Sequence, residues 1–264
     1  MIPRLIALWF SVGVMWLVSA SCYSLGTKYY HGYRSEGSLL SCSHDVATRD
    51  PPLHPSVRRF VRSDDSKEEI GKSWSSNSKK RAKGNKQVDL KDGAMHITFQ
   101  PVADHAVSVV HPAEFQDGRI TLRFNLPTEA DGLGLNFADM KFKEVHAGHF
   151  CMTKISTKNV QINDLKTGVM ANAIRKARLA KTITPEKTKM LKTKTKRFQN
   201  KLEAGKWHNL VVTLKGDTMK VVINDKEVAS FSSAGIAHPT KRVLRVAVPK
   251  KAIIDDLKIY SLQK

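Results

Sequence analysis

Apolar and polar residues alternate in short runs from residue 88 to the C-terminus. In residues 95–99, for example, Met95, Ile97 and Phe99 alternate with polar neighbours. A period of two is typical of a strand with one buried face. The alternation recurs in the runs 120–124, 133–137, 150–152, 160–162, 210–214, 219–223, 228–231, 243–248 and 253–260. The pattern therefore predicts a series of strands.

Turn sequences separate these runs. Asp-Gly pairs lie at 117–118 and 131–132, Lys-Gly-Asp at 215–217 and Asn-Asp at 224–225. These residue types adopt the backbone conformations of tight turns. Strands that arrive about every ten residues, with turns between them, indicate a sandwich rather than βαβ units. We predict an all-β fold, an antiparallel jelly-roll sandwich.

The segment 167–193 does not follow the strand pattern. Its first part is rich in helix formers with helically spaced apolar residues, and Thr184–Glu186 has the N-cap, proline and acid of a helix start. We predict a helical hairpin inserted between two strands. Between Lys166 and Lys206 the chain has 13 Lys and Arg and 2 Glu, an excess of +11. The insert is therefore expected to be basic.

The N-terminus has the pattern of an export signal. Arg4 precedes an apolar stretch, 5–18, and small residues follow at 18–20. We predict a signal peptide over 1–20, with an uncleaved membrane anchor as the alternative. Residues 21–57 show no apolar periodicity and are predicted to be a linker or disordered. The location expected from this pattern is secreted, periplasmic or cell envelope.

The composition and net charge of the chain limit the classes of binding partner to be expected. The chain has 264 residues, is 41% hydrophobic and carries a net charge of +20, more than half of it between Lys166 and Lys206. A protein with a large positive charge is expected to bind an anionic partner, such as nucleic acid, an anionic polysaccharide or a membrane surface. Nucleic acid is not expected, because an exported protein does not meet it and no recognised binding motif is present. An anionic glycan or the cell envelope fits better, and we expect a monomer.

Three cysteines, Cys22, Cys42 and Cys151, are too few for a disulfide-rich scaffold. Cys22 and Cys42 could pair in an oxidising compartment, or all three could be free thiols. The sequence is consistent with either the disulfide or three free thiols.

Several segments together resemble the concanavalin A-like lectin/glucanase superfamily of jelly rolls. They are 70–74 with its tryptophan, 89–95 with its Asp-Gly turn, 205–212, 216–217, 222–226 and 254–259. Within that superfamily the chain is most similar to exported bacterial 3-keto-disaccharide hydrolase or glycoside-hydrolase-16-like domains. The resemblance covers about residues 58–264, so it implies a single domain that begins before Val88. It also implies a carbohydrate-associated function.

The acid pair of retaining glucanases is missing. Those enzymes use two carboxylates about 5 to 5.5 Å apart, and no Glu-x-Asp-x-x-Glu run occurs here. The nearest acids, Asp139, Glu144 and Asp164, lie on different predicted segments. Glucanase activity is therefore not expected.

The densest titratable group, Glu144, His146 and His149, provides the candidate catalytic residues. With Cys151, the two histidines could also offer metal ligands, but a small buried cysteine is the simpler interpretation. Alternation places His149 and Cys151 on one face of a strand, opposite Phe150. No metal and no cofactor are expected.

Candidate ligand-binding residues come from the insert and its surroundings. They are Asp164, Lys166, Arg175, Arg178 and Trp207. The cations would hold an anionic glycan, and Trp207 would stack on a sugar ring unless it is a core residue, as Trp74 would be.

The last strand carries the acid pair Asp255-Asp256. The pair could bind calcium, but calcium needs more oxygen ligands. We instead expect one acid to cap a turn or to pair with an arginine of a neighbouring strand, such as Arg242 or Arg245.

Three functions follow. The first is a glycan-binding jelly-roll protein, the second a glycoside hydrolase or lyase, and the third a structural envelope protein with a surface-binding insert. The sequence favours the first.

Overall fold

The computed structural model describes residues 28–33 and 67–262. The predicted signal peptide lies outside these residues, as does the predicted linker except for 28–33. The strands are β1 (Lys28–Tyr33), β2 (Ser75–Ser76), β3 (Val88–Lys91), β4 (Ala94–Thr98), β5 (Val107–Phe115), β6 (Asp117–Asn125), β7 (Gly132–Ala138), β8 (His149–Ser156), β9 (Asn159–Asp164), β10 (Thr195–Gln199), β11 (Trp207–Lys215), β12 (Thr218–Ile223), β13 (Lys226–Ser232), β14 (Lys241–Val248) and β15 (Lys251–Leu262). The helices are α1 (Ser78–Arg81), α2 (Asn172–Leu179) and α3 (Pro185–Thr193), with a 3-10 turn at His146–Gly148.

The strands form two antiparallel sheets. Sheet A has the order β13-β12-β11-β6-β15-β4-β3, and β1 pairs with the second half of β15. Sheet B has the order β10-β9-β8-β7-β14-β5-β2. Sequence neighbours such as β14 and β15 lie in different sheets, so the chain crosses between layers as a jelly roll does. The predicted all-β antiparallel sandwich is confirmed, and the helical hairpin α2–α3 lies between β9 and β10.

The core lies between the sheets and is built by the alternation seen in the sequence. Phe124 of β6, Phe137 of β7 and Met95 of β4 are fully buried there. Trp74 is also a core residue, 8% exposed, and its ring lies 4.7 Å from that of His111. Apolar burial of this kind is the main stabilising term of the sandwich. No helix within the described ranges is long and apolar enough to cross a bilayer.

Asp164, at the end of β9, joins three segments of the chain. Its carboxylate accepts hydrogen bonds from the backbone N–H and the hydroxyl of Thr167, where the insert begins. It also accepts from the Ser233 hydroxyl at 2.6 Å and the Gly235 N–H at 3.1 Å. Lys194, where the insert ends, places its ammonium 3.8 Å away. One buried acid therefore holds both ends of the insert and the loop that leads to β14.

Gly148 fixes the loop that precedes β8. Its φ is +66°, and a Cβ at this position would lie 2.1 Å from the carbonyl oxygen of Asp139. The same two residues are joined by a backbone hydrogen bond of 2.9 Å from the Asp139 N–H. Only glycine permits both this conformation and this approach.

We expect Asp164→Ala to lower the free energy of unfolding by about 3 kcal/mol, because it leaves several buried hydrogen-bond donors without an acceptor. Urea denaturation measures the change. Asp104→Ala is the control, since Asp104 is exposed and pairs only at the surface, with Arg81 and His105; it should leave the midpoint almost unchanged. Equal effects of the two substitutions would contradict the assigned role of Asp164.

Gly148→Ala should destabilise the protein more than Gly84→Ala does. Gly84 also has a positive φ, +84°, but its added Cβ would meet nothing within 4 Å. The Gly84 variant therefore isolates the backbone penalty of about 1 kcal/mol, and the steric clash at Gly148 should add about 2 kcal/mol or more. Thermal and urea unfolding of both variants measure the two losses in the free energy of unfolding. A loss in Gly148→Ala no larger than that in Gly84→Ala would show that the loop adjusts to accept the added Cβ.

Candidate functional site

Three polar side chains meet on the outer face of sheet B. Asn136 lies between two core residues of β7, so it points away from the core, and Arg245 has the same orientation on the neighbouring strand β14. The Nδ1 atom of His149, at the start of β8, lies 2.8 Å from Oδ1 of Asn136 and 3.1 Å from Nη1 of Arg245. These residues are called the His149 cluster below.

The contacts around His149 determine where its ring proton lies. The two contacts require opposite roles of Nδ1, because the Asn136 oxygen accepts from it whereas the Arg245 guanidinium can only donate. With the proton on Nδ1, as the shorter contact favours, Nε2 has a free lone pair and the Arg245 contact is a close approach of two donors rather than a hydrogen bond. No described residue bonds to Nε2 of His149, which is half-buried. Burial, together with the positive charges of Arg245 and His146, lowers the pKa of His149 to about 4. The ring is thus a neutral hydrogen-bond acceptor at physiological pH.

The guanidinium of Arg245 is held by neutral acceptors and not by a carboxylate of the described residues. Its Nη2 donates to the carbonyl oxygen of Ala147 at 3.1 Å and contacts the sulfur of Met140 at 2.9 Å. Within the described ranges no carboxylate forms an ion pair with it, and burial lowers its pKa from the usual value. The guanidinium therefore keeps donors available next to a neutral imidazole.

A second polar group lies on the same face, on β9 and β10. Oδ1 of Asn163 accepts hydrogen bonds from Nε2 of Gln161 at 2.7 Å and from the hydroxyl of Thr195 at 3.0 Å. Oε1 of Gln161 in turn accepts from Arg197 at 3.1 Å. Met152 lies beside this group, above Gly134 of β7, where an added Cβ would be 2.4 Å from its methyl carbon. The amides are therefore held in fixed orientations.

Sheet B offers no pair of free carboxylates. Its seven strands contain two acids, Asp164 and Glu114. Asp164 is 1% exposed and enclosed by protein donors, and Glu114 lies 3.7 Å from Nε of Arg242. Asp139, after β7, is 3% exposed and bonds to Arg242. The arrangement suits hydrogen bonding to a polar ligand rather than two-carboxylate hydrolysis.

The predicted catalytic residues share one loop. Glu144 and His146 are exposed, and His149 at the loop's end is part of the His149 cluster. The loop packs on the insert, because the His146 N–H donates to the Met170 carbonyl at 2.8 Å and the Asn172 N–H donates to the Glu144 carbonyl at 3.1 Å. Their catalytic role stays a prediction.

The predicted ligand-binding residues are dispersed. Arg175 and Arg178 line a cavity of about 470 Å³ together with His146. Lys166 instead donates to Nδ1 of His238 at 3.0 Å, and its ammonium lies 5.2 Å from the Phe142 ring centroid. Burial first, and then the charges of Lys166 and Lys241, lower the pKa of His238 to about 4. Asp164 is the buried junction described above.

Trp207 lies on the other sheet. It is 40% exposed on the outer face of sheet A, with the Arg123 guanidinium 4.9 Å from its ring centroid. Arg123 also pairs with Asp255 at 3.5 Å. An acid of the last strand therefore pairs with an arginine of a neighbouring strand, as expected, but that arginine is Arg123 of β6. The two arginines named for this pairing, Arg242 and Arg245, lie on sheet B.

Sequence reasoning also placed His149 and Cys151 on one face, and this is wrong. The pairing of β7 with β8 shifts between Phe137 and Ala138, so Cys151 faces the core while His149 faces outward. Burial raises the pKa of the Cys151 thiol to about 12, so it is no thiolate ligand. The part of the chain that the structure describes has no group of three His, Cys, Asp or Glu side chains able to hold a metal ion.

Asn136 and Arg245 were missed as site residues. Asn136 is the polar residue at an outward position of the otherwise apolar run 132–138, and that break in the pattern was the available signal. Arg245 has the same signal within 243–248.

Comparison with solved structures finds carbohydrate-active proteins at low identity. A CBM66 carbohydrate-binding module from Bacillus subtilis is 10% identical, with a TM-score of 0.48, covering 72% of this chain and 96% of that one. A lichenase from a mouse hindgut metagenome is 11% identical, with a TM-score of 0.49 and coverages of 74% and 96%. The laminarinase from Rhodothermus marinus is 10% identical, with a TM-score of 0.47 and coverages of 67% and 81%. These values are too low to say what this chain binds.

The search of curated proteins gives no significant match. A family model does match: the 3-keto-alpha-glucoside-1,2-lyase-like domain aligns with residues 65–253. This match covers most of the chain and confirms the resemblance seen in the sequence, so the protein belongs to the 3-keto-α-glucoside-1,2-lyase-like domain family.

Proposed function

We propose that the protein binds a saccharide on the outer face of sheet B, at the His149 cluster. The observation that carries the proposal is the contact of a buried amide, a neutral imidazole and a guanidinium without an acid partner on one sheet face. Such groups donate to and accept from hydroxyls in fixed directions. Membership of a family named for a keto-glucoside supports the same class of ligand.

The second polar group extends the proposed site along the sheet. Asn163, Gln161 and Arg197 are already bonded to one another, so they lose little side-chain entropy when a ligand binds. A ligand longer than one sugar ring would contact both groups.

The finer parts of the proposal concern charge and location. Sheet B and the insert carry many more cations than acids, which favours an anionic glycan over a neutral one. The apolar N-terminal stretch supports export, so the ligand would be met outside the cytoplasm or in the cell envelope.

A lyase acting on a 3-keto-glucoside is the second candidate, favoured by the family match. Such a step removes the proton on C2, made acidic by the C3 carbonyl, and forms a C1–C2 double bond. The C1 substituent is expelled, and its oxygen takes up the proton to leave as an alcohol. His149 would accept the proton and Arg245 would stabilise the enolate oxygen. A base works best when its pKa is near the working pH, and the pKa of about 4 at His149 is well below it. Binding is therefore ranked first, and turnover of a 3-keto-glucoside lost in His149→Gln would reverse the ranking.

Titration of oligosaccharides by calorimetry tests the binding proposal. His149→Ala should weaken binding at least tenfold, because it removes the acceptor and releases the Asn136 amide from its fixed orientation. Trp207→Ala, on the outer face of sheet A, is the control and should change the affinity less than twofold.

Thermal unfolding of both variants verifies that they fold. Loss of affinity in Trp207→Ala with none in His149→Ala would move the site to sheet A. The absence of binding to any neutral or acidic oligosaccharide at low salt would reject the proposal.

The state of His149 sets a pH dependence. Because its pKa is lowered to about 4, the ring stays neutral as pH falls through the usual histidine range, and only near pH 4 does it gain a proton. Saccharide affinity should thus be unchanged between pH 7 and pH 5.5. NMR titration of the ring signals, assigned with His149→Gln, measures the midpoint directly, and a midpoint near 6.5 would contradict the neutral-acceptor role.

A further inference from the structure

The helical insert and the loop 145–149 together line a cavity that is open to solvent. It measures about 470 Å³ and is lined by His146, Val169, Met170, Arg175, Arg178, Leu179 and Ile183. Cavities of about 300 to 1,000 Å³ hold small ligands in proteins. The loop 145–149 connects the cavity with the His149 cluster, because His146 lines the cavity and His149 lies three residues further on.

Two arginines of α2 reach this cavity. Arg175 and Arg178 are three residues apart in the helix and so lie on the same side of it. Neither forms an ion pair or a side-chain hydrogen bond with any residue in the described ranges. The helix also contains Lys176 and no acid. The insert therefore concentrates positive charge at a cavity wall without neutralising it.

The rest of the lining is apolar. Met170 and Ile183 are half-buried at the cavity, and Leu179 is 67% exposed. An exposed leucine beside unpaired guanidinium groups matches a ligand with one anionic group and an apolar surface. A sugar ring has such a surface in its C–H groups, and guanidinium binds carboxylate or sulfate oxygens in a planar, two-pronged arrangement.

We propose that this cavity is an acidic-sugar subsite, in which Arg175 and Arg178 bind the carboxylate or sulfate group of the saccharide and Met170, Leu179 and Ile183 contact its ring. The inference rests on the proposed function and narrows its ligand class. It also gives a role to Arg175 and Arg178, which line the cavity, whereas Lys176 of α2 and the cations of α3, such as Lys187 and Lys189, lie in open solvent.

Calorimetry with the full chain tests the subsite. The probes are glucuronate, glucose 6-sulfate, glucose and inorganic sulfate. Glucuronate or the sulfated sugar should bind saturably and at least tenfold more tightly than glucose. Preference between the two acidic sugars assigns the carboxylate or the sulfate ester.

Two double variants that remove the same charge distinguish a specific subsite from non-specific electrostatic attraction. Arg175→Gln/Arg178→Gln should reduce acidic-sugar affinity at least tenfold, whereas Lys187→Gln/Lys189→Gln, which removes the same charge from α3, should reduce it less than threefold. Equal losses in both variants, or inorganic sulfate binding as tightly as the acidic sugars, would overturn the subsite.

His149→Ala distinguishes failure of the subsite from failure of the proposed function. This substitution should lower the affinity for neutral oligosaccharides, whereas glucuronate should still bind at the cavity. Neutral binding that is sensitive to His149, with no advantage for acidic sugars, would reject the subsite alone. Binding of acidic sugars that His149→Ala leaves unchanged, with no neutral oligosaccharide bound at all, would retain the cavity and reject the His149 cluster.

Discussion

The burial of one carboxylate, that of Asp164, determines how the insert is attached to the sandwich. Taking a carboxylate out of water is costly unless donors surround it, and here the donors come from Thr167, Ser233, Gly235 and the nearby Lys194. These donors belong to the two ends of the insert and to the loop that enters β14. The segment of more than twenty residues between Thr167 and Lys194 therefore begins and ends at one fixed point. This point and the hydrogen bonds of the loop before β8 to Met170 and Asn172 together fix the cavity of α2 relative to sheet B.

Close backbone approaches complete the same junction. Gly235 lies so near Asp164 that an added Cβ would be 1.8 Å from Oδ1, and at Gly168 it would be 2.3 Å from the Asp164 carbonyl oxygen. The loop before β8 depends similarly on Gly148. Packing of this kind leaves little room for adjustment. These close contacts place the backbone at the start of the insert and at the start of β8 in defined positions relative to each other.

Local features of the fold could be predicted from the sequence, whereas long-range ones could not. The strands and the start of α3 follow from alternation and from Thr184, whose hydroxyl accepts a hydrogen bond from the Lys187 N–H at 3.3 Å. The His149 cluster depends on β14 pairing with β7, more than a hundred residues away in the chain. A single shift in pairing also turned His149 away from the face that strict alternation predicts. Sequence periodicity contains neither piece of information.

The positions of the charges, more than their number, limit what the protein can do. The two buried acids near sheet B already have partners: Asp139 bonds to Arg242, and Asp164 to its buried donors. The cations Arg245, Arg175 and Arg178 have no acid partner among the described residues. A fold whose glucanases depend on a carboxylate pair thus presents the opposite chemistry here, with neutral acceptors and free guanidinium groups. Such a surface can hold oxygen-rich or anionic ligands by directed hydrogen bonds, but it provides no second carboxylate to cleave them by the glucanase route.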